Sequence, residues 1–243
     1  MHLSLGTSNL ANFSRMQHPK EIGKFLHEIL TLGHLFIDTA PLYSALDSEK
    51  ILGRFLPESE FKNVSISSKY GYWYSRLPFP LNRVSQRAFS QGSDTNRRRI
   101  ENSSPRFELS KSLLRLKRTS LDTFFFHGEP EDDRFQIEVA EMLKLKEEGL
   151  ISKIGLSTNQ KLRKIDKNID VIQIPYSNLN YYESFAGPLF EVHSIVRSSE
   201  GMRTNIEDTI IQLSQTKRVS KAIIGTTNIT HYRDIRGLID NYA

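Results

Sequence analysis

Short runs of aliphatic, β-branched and aromatic residues recur along the chain, with longer segments between them. Each run is too short for a helix and lacks the alternation of apolar and polar positions that marks a strand facing water on one side. Such runs are typical of strands buried on both faces, as in a parallel sheet. Eight runs are candidate strands: residues 3–5, 35–37, 64–68, 123–126, 151–156, 171–174, 193–196 and 222–224.

The segments between these runs carry apolar residues at helical spacing. In the first of them, Ile22, Phe25, Leu26 and Ile29 fall on one face of a helix. The spacing predicts helices over residues 21–32, 49–56, 108–118, 137–148, 205–215 and 230–240, and Asn205 and Thr230 are start signals for the last two. Alternating strands and helices predict an α/β fold, and eight repeats favour a single-domain (β/α)8 TIM barrel over residues 1–243. An open doubly wound sheet shows the same local pattern.

The length of 243 residues fits one such barrel, and 38% hydrophobic with 25% charged residues is ordinary for a soluble globular protein. The absence of cysteine excludes disulfides and thiolate metal sites and fits a cytoplasmic location, which we expect. No secretory signal is visible at the start, and no apolar stretch approaches the ~20 residues of a membrane helix. We therefore expect no membrane partner.

The net charge is +5, and part of the excess lies in the cluster Arg97, Arg98 and Arg99. We interpret this cluster as a solvated loop rather than a nucleic-acid site, and a basic balance also suits an enzyme whose cofactor carries phosphates. The seven histidines show neither H-x-H nor H-x-x-x-H spacing, so a metal-dependent hydrolase is a weak candidate and we predict no metal.

Four residues of complementary chemistry follow three consecutive predicted strands. Asp38 ends the second, Tyr43 lies five residues later, Lys69 ends the third and His127 ends the fourth. Each residue alone has a structural interpretation. Asp38 could cap a turn and Tyr43 could pack as an aromatic side chain, while Lys69 could be a surface charge and His127 a hydrogen-bonded loop residue. Together they form an acid–base set, because an ammonium lowers the pKa of a phenol from about 10, a carboxylate holds the ammonium, and a neutral imidazole can orient a carbonyl oxygen.

Motifs around these residues resemble the aldo-keto reductase family. They run in order from Leu5 to Ile235 and comprise FIDTAPLY at 36–43 followed by Ser48-Glu49 and Leu52-Gly53, SKYG at 68–71, residues 110–116 with Leu121-Asp122 and His127, and KEEGLISKIGLS at 146–157. The first of these is highly specific and the last is loose. The resemblance implies that Tyr43 is the proton donor, that Lys69 and Asp38 tune it, and that His127 orients the substrate.

The resemblance also implies a nicotinamide dinucleotide bound without a Rossmann glycine motif. Ser157, Thr158 and Gln173 would hydrogen-bond its carboxamide. Its phosphates would lie near the positive end of the last helix. The residues implied there are Gly225, Thr226, Thr227 and Asn228, with Gly6, Thr7, Ile195 and His231 completing the cofactor set.

The sequence departs from the family pattern at several of these positions. Thr158 stands where asparagine is usual, Ile195 where an aromatic ring often stacks on the nicotinamide, and His231 where a basic residue commonly grips the 2′-phosphate. Arg233 or Arg236 could substitute for that residue, so we expect NADPH and leave NADH open. The loop after Gly201 also looks shortened. An alternative is therefore a catalytically silent barrel that senses a cofactor or acts as a scaffold.

Aromatic residues beyond the strand ends predict the substrate pocket. Tyr72 and Trp73 follow Lys69, and Tyr176 follows the sixth predicted strand. Aromatic walls suit a small or hydrophobic carbonyl compound, whereas ordinary loop packing explains them almost as well, and a sugar-like carbonyl is equally compatible. The sequence identifies neither the physiological carbonyl nor the oligomeric state.

Overall fold

The eight strands in the described part of the chain close into a parallel barrel in chain order. The computed structural model describes residues 1–8, 10, 19–72, 103–128, 132–196 and 205–242. Each strand pairs in parallel with the next, and the last pairs with the first. This arrangement confirms the predicted (β/α)8 TIM barrel and excludes the open doubly wound sheet.

The strands are β1 (His2–Gly6), β2 (Leu35–Asp38), β3 (Val64–Tyr70), β4 (Leu121–His127), β5 (Ile151–Ser157), β6 (Val171–Pro175), β7 (Leu189–His193) and β8 (Val219–Ile224). The predicted strand at 193–196 was wrong, since β7 ends where that run begins. The reason is Glu191, a charged residue in the middle of β7 that interrupts the apolar pattern although it is only 1% exposed. The other predicted runs overlap their strands.

The helices of the described residues are α1 (Pro19–Leu30), α2 (Ser48–Phe55), α3 (Pro105–Leu116), α4 (Asp132–Glu147), α5 (Leu179–Tyr182), α6 (Ile206–Gln215) and α7 (Ile229–Tyr242). Asn205 caps α6 as predicted, because its side chain accepts a hydrogen bond from the backbone N–H of Glu207. Thr230 does not begin the last helix. Asn228 caps α7, and its side-chain oxygen accepts from the N–H groups of Thr230 at 2.8 Å and of His231 at 3.3 Å.

The apolar core lies between the barrel and its helices. On β4, Phe124 and Phe126 are fully buried and contact the ring of Tyr70 on β3, at centroid distances of 5.7 Å each. Phe125, between them, points to the other face of the strand and lies 5.6 Å from the ammonium of Lys69. The alternation along β4 therefore stabilises the outer core and also builds the wall of the barrel interior.

Gly53 allows α2 to pack directly against the end of α3. A Cβ atom at Gly53 would lie 2.1 Å from the carbonyl oxygen of Arg115, which is backbone and cannot rotate away. We predict that Gly53→Ala lowers the free energy of unfolding by about 3 kcal/mol because the two helices must separate. Thermal unfolding measures this as a melting temperature about 10 °C lower.

Gly237 provides the matched control for that substitution. It lies within α7, and a Cβ atom there would meet nothing within 4 Å. Gly237→Ala should raise the free energy of unfolding by about 0.5–1 kcal/mol, because alanine loses less backbone entropy in a helix. Equal stability changes in the two variants would contradict the close packing at Gly53.

Candidate active site

The four predicted catalytic residues meet at the carboxyl-terminal rim of the barrel. Asp38, Lys69 and His127 lie at or next to the ends of β2, β3 and β4, and Tyr43 opens the 3₁₀ turn that follows β2. Lys69 donates a hydrogen bond to Asp38 and interacts with the Tyr43 hydroxyl. The rings of Tyr43 and His127 meet edge to face at 6.1 Å between centroids. The phenol thus lies between an ammonium and an imidazole.

Lys69 is fully buried inside the barrel, and Asp38 is 4% exposed. Burial alone disfavours the ammonium, but the Asp38 carboxylate and the Tyr43 hydroxyl more than offset it and raise the pKa of Lys69 above its ordinary value. The backbone carbonyl oxygen of Thr39 accepts a further hydrogen bond from Lys69 at 3.3 Å. Lys69 therefore remains a cation across the neutral pH range and acts on Tyr43 electrostatically.

The turn that carries Tyr43 is held by hydroxyl groups and by an unusual backbone. Ser44 and Leu46 have φ angles of 51° and 76°, in the left-handed region that non-glycine residues seldom adopt. Ser44 donates its hydroxyl to the carbonyl oxygen of Thr7 at 2.8 Å. Ser48, at the start of α2, donates to the Thr7 hydroxyl at 2.7 Å. These bonds attach the turn to the end of β1 and hold Tyr43 toward the barrel axis.

Thr7 was predicted to contact the cofactor, and the structure places its side chain within this turn network. Its hydroxyl oxygen lies 3.0 Å from the carbonyl oxygen of Asp38, to which it donates, and it is fully buried. Gly6 ends β1 in register with Asp38 and is close to the rim. A Cβ atom at Gly6 would lie 3.0 Å from a methyl group of Ile223, so close strand packing also explains this glycine.

The residues predicted to bind the carboxamide lie together on the next two strands. Ser157 ends β5 and donates its hydroxyl to the side-chain oxygen of Gln173 at 2.8 Å. The Gln173 amide nitrogen donates to the Asp38 carboxylate at 2.7 Å. Thr158 follows, with its N–H bonded to the Gln173 carbonyl oxygen at 2.9 Å. The residues predicted to bind the carboxamide are therefore hydrogen-bonded directly to Asp38 through Gln173.

One predicted substrate-pocket residue lies beside the imidazole. The ring of Tyr72 is 4.7 Å from that of His127, and Gly128, with φ 79°, leaves room for the Tyr72 hydroxyl. Tyr176 instead hydrogen-bonds Gln212 on α6. Trp73 lies outside the described residues, as does the arginine cluster at 97–99. The structure thus brings Tyr72 to the imidazole and ties Tyr176 to a helix.

The sequence of residues 2–192 matches the model of the Aldo/keto reductase family. The chain belongs to the aldo-keto reductase family. The match ends at Val192, so it includes the catalytic candidates and Gln173 but stops before β8 and the predicted phosphate-binding residues.

Solved aldo-keto reductase structures share this barrel. An aldo-keto reductase from Bacillus halodurans in its holo form has a TM-score of 0.74 at 16% identity, with 98% of this chain and 86% of that one covered. A Pseudomonas aeruginosa protein that carries the family's name has a TM-score of 0.72 at 21% identity, covering 99% and 90%. The Klebsiella pneumoniae aldo-keto reductase in complex with NADPH has a TM-score of 0.67 at 17% identity, covering 98% and 85%. At these identities the likeness shows the fold.

The end of β7 differs from the sequence prediction for this aldo-keto reductase. The strand ends at His193, so His193 is the residue at the rim. Ile195, predicted to stand there, lies beyond the strand and is 1% exposed. His193 is half-buried, with Nδ1 2.9 Å from the hydroxyl oxygen of Ser194. Sequence reasoning missed His193 as a rim residue because it placed His193 at the start of the predicted strand, whereas β7 ends there.

The predicted phosphate-binding segment lies between β8 and α7. Gly225 and Asn228 are exposed, and Thr226 and Thr227 are half-buried. The Thr226 hydroxyl accepts from the N–H of Asn228 at 3.0 Å, and the first turn of α7 carries no acidic side chain. An exposed helix start with hydroxyl groups and no carboxylate fits a phosphate-bearing group, which would compete with the Asn228 side chain for the first N–H groups.

The basic candidates for a 2′-phosphate lie farther along α7. His231 is exposed in the first turn. Arg233 pairs with Glu28 at 3.3 Å, and Arg236 pairs with Asp240 at 3.1 Å. These are surface pairs, which contribute little to stability and exchange readily for a stronger anion.

Two further findings apply to the described ranges alone. No helix there is long and apolar enough to cross a membrane. Within the same ranges, no three histidine, aspartate or glutamate side chains gather as ligands for a metal ion.

Proposed function

We propose that this aldo-keto reductase uses NADPH to reduce an aldehyde or ketone to an alcohol, with NADH as a weaker cofactor. The observation that carries the proposal is the buried ammonium of Lys69, held between the Asp38 carboxylate and the Tyr43 phenol at the rim of the barrel. Burying two charges costs desolvation free energy. Acid–base chemistry explains why such a pair lies beside a phenol at a barrel rim.

Tyr43 would give its phenolic proton to the oxygen of the carbonyl group as that oxygen gains negative charge. The neighbouring Lys69 ammonium stabilises the phenolate that remains, which brings the acidity of the phenol closer to the working pH. Asp38 keeps the ammonium in place and charged. Tyr43 is half-buried, whereas Lys69 and Asp38 are buried.

His127 would orient the carbonyl group toward Tyr43. A neutral imidazole donates one hydrogen bond, and its place edge-on to Tyr43 allows both side chains to contact the same oxygen. Tyr72 on the far side of the imidazole would exclude water and contact the apolar part of the substrate. A small carbonyl compound with an apolar substituent fits this wall, and we propose that class as the substrate.

A nicotinamide dinucleotide, when bound, would supply the hydride. Ser157, Thr158 and Gln173 would hold its carboxamide, and the segment Gly225, Thr226, Thr227 and Asn228 its phosphates. His193 would face the nicotinamide in place of Ile195. The NADPH complex of the Klebsiella pneumoniae relative supports NADPH, the cofactor with a 2′-phosphate. His231 and Arg233, both near the start of α7, would favour it further.

Titration of the purified protein with NADPH and with NADH, followed by intrinsic fluorescence, tests the cofactor part of this proposal. We expect saturable binding of both, tighter for NADPH. A panel of small aldehydes and ketones then tests the reaction through NADPH absorbance, and we expect oxidation that depends on the carbonyl compound. Binding without oxidation across the panel would favour the silent cofactor-sensing barrel, and no binding by folded protein would favour a scaffold.

A further inference from the structure

A continuous row of polar residues passes along neighbouring strands from the rim to the opposite end of the barrel. Its members are register partners on six successive strands, β4 through β8 and then β1: His127, Ser157, Gln173, Glu191, Lys221 and His2. Because the strands of a barrel tilt and are staggered, residues in register follow a descending path. The row begins at the last residue of β4 and ends at the first residue of β1.

Glu191 and Lys221, in the lower half of the row, are charged and buried. The Lys221 ammonium lies 2.9 Å from the Glu191 carboxylate and 2.8 Å from the carboxylate of Asp122 on β4. Lys153 on β5 lies 3.6 Å from the other oxygen of Asp122. Glu191 is 1% exposed and Lys221 6% exposed. Two carboxylates therefore share one buried ammonium below the acid–base set.

Gln173 connects this cluster to the rim. Its amide nitrogen lies 2.7 Å from an Asp38 carboxylate oxygen and 3.5 Å from a Glu191 carboxylate oxygen. Its oxygen accepts from Ser157. The amide can have only this orientation, because the reverse would place its oxygen against two carboxylates. Asp38 is thus held from below by Gln173 and from the side by Lys69.

We propose that Glu191 and Lys221 are positioning residues that set the orientation and the electrostatic environment of Asp38, Lys69 and, through them, Tyr43. The chemical meaning of this inference rests on the proposed function, in which Tyr43 gives a proton to the substrate. The proposal assigns a role to two residues that lie below the rim and outside the acid–base set.

Burial and the charged groups that face Glu191 and Lys221 determine the directions in which the pKa values of these two residues shift. Burial raises the pKa of Glu191 and the Asp38 carboxylate adds to this, while Lys221 and Lys69 oppose it. Burial likewise opposes the charge of Lys221, but Glu191 and Asp122 prevail and raise its pKa.

Two more titratable groups border the cluster. The pKa of Asp122 is lowered despite its partial burial, first by Lys221 and then by Lys153. On β1, the pKa of His2 is lowered by burial and then by the positive charges around it, which include Lys221. The Glu191 carboxylate and the Lys221 ammonium pair at 2.9 Å, so removing either charge leaves the other uncompensated.

The test is an ultraviolet titration of the Tyr43 phenol, obtained as the 295 nm absorbance of each protein minus that of the same protein carrying Tyr43→Phe. Glu191→Gln leaves Lys221 in excess and should lower the pKa of the phenol by roughly 0.5 to 1. Lys221→Met leaves the carboxylates in excess and should raise it by a similar amount. The double variant should return close to the wild-type value.

Glu108→Gln is the matched control. Glu108 is 1% exposed and accepts a hydrogen bond from Ser103, but it lies on α3 outside the barrel. This variant should leave the pKa of the phenol unchanged. Circular dichroism and thermal unfolding establish that each variant is folded. If Lys221→Met does not fold, Glu191→Gln and the double variant still carry the test.

An unchanged pKa of the phenol in Glu191→Gln would overturn the proposal. Shifts in the same direction in both single variants would overturn it as well, because only an electrostatic effect requires opposite directions. The titration needs neither cofactor nor turnover. Failure of the proposed function, seen as a wild-type protein that reduces no carbonyl compound, is therefore distinguishable from failure of this inference. In an active enzyme, the alkaline limb of kcat against pH should shift in the same directions as the phenol.

Discussion

Tyr43→Phe is expected to lower kcat for carbonyl reduction by about 10²- to 10⁴-fold and to leave the Kd for NADPH almost unchanged. The substitution removes the transferable proton and retains the ring. Lys69 keeps its hydrogen bonds to Asp38 and to the Thr39 carbonyl oxygen, so the buried ion pair survives. The loss should therefore appear in the chemical step and leave binding intact.

Steady-state kinetics and an NADPH titration on the same preparation measure the two effects separately. Tyr242→Phe is the control, because Tyr242 lies at the end of α7 and its hydroxyl bonds Glu207 on α6. That variant should retain wild-type kcat. Undiminished turnover in Tyr43→Phe would show that another group gives the proton.

Lys69→Met is expected to abolish measurable turnover and to lower the free energy of unfolding by about 3–5 kcal/mol. The stability is lost because the Asp38 carboxylate stays buried without its cation, with the amide of Gln173 as a remaining donor. The activity is lost because the phenol of Tyr43 no longer has an ammonium beside it. Any residual activity should show an altered pH profile.

A second substitution separates the two consequences. In the double variant Lys69→Met/Asp38→Asn, the uncompensated charge is removed, so thermal unfolding should recover much of the lost stability while turnover stays absent. Lys146→Met controls for loss of a lysine, since Lys146 pairs with Asp170 in a half-exposed bridge away from the rim. A residual pH–rate profile identical to that of the wild type would contradict the tuning role of Lys69.

The fold and the meeting of Asp38, Tyr43, Lys69 and His127 at one rim were predictable from the sequence because they depend on local patterns. All the strands except β7 carry the predicted apolar run, and polar residues directly after such runs fall on one rim of a parallel barrel. Asp38, Lys69 and His127 could be assigned in this way. Tyr43 followed from its spacing to Asp38, although the left-handed residues that form its turn, Ser44 and Leu46, have no sequence signal of their own.

The polar interior of the barrel was not predictable by the same reasoning. From the sequence alone, Glu191 and Lys221 would be expected at the surface, because charged side chains are seldom buried unless they are paired. They are buried because they compensate each other's charge across neighbouring strands. Because the charge of Glu191 interrupts the apolar run, the seventh strand was predicted at residues 193–196, although it spans Leu189–His193. His193 was therefore not predicted at the end of that strand. A charged residue within an otherwise apolar segment is the signal that could have prompted a search for its partner.

The hydroxyl of Thr7 has a structural role that residue type alone does not reveal. In the structure it is buried and joins β1 to the turn that carries Tyr43. The hydrogen-bond partners that define this role lie on other elements, so they become visible only in three dimensions. The contact between Thr7 and a cofactor, which the resemblance implies, stays a prediction.

Transfer of deuterium from NADPH labelled with two deuterium atoms at C4 of the nicotinamide tests directly whether the protein passes a hydride to a carbonyl carbon. The protein is incubated with the labelled cofactor and a small aldehyde or ketone, and the alcohol is analysed by mass spectrometry. We expect the wild type to form an alcohol that carries one deuterium on the former carbonyl carbon, and Tyr43→Phe to form it at least about 100-fold more slowly. Recovery of unreacted carbonyl compound from wild-type protein saturated with NADPH would contradict it and leave a barrel that binds its cofactor without using it.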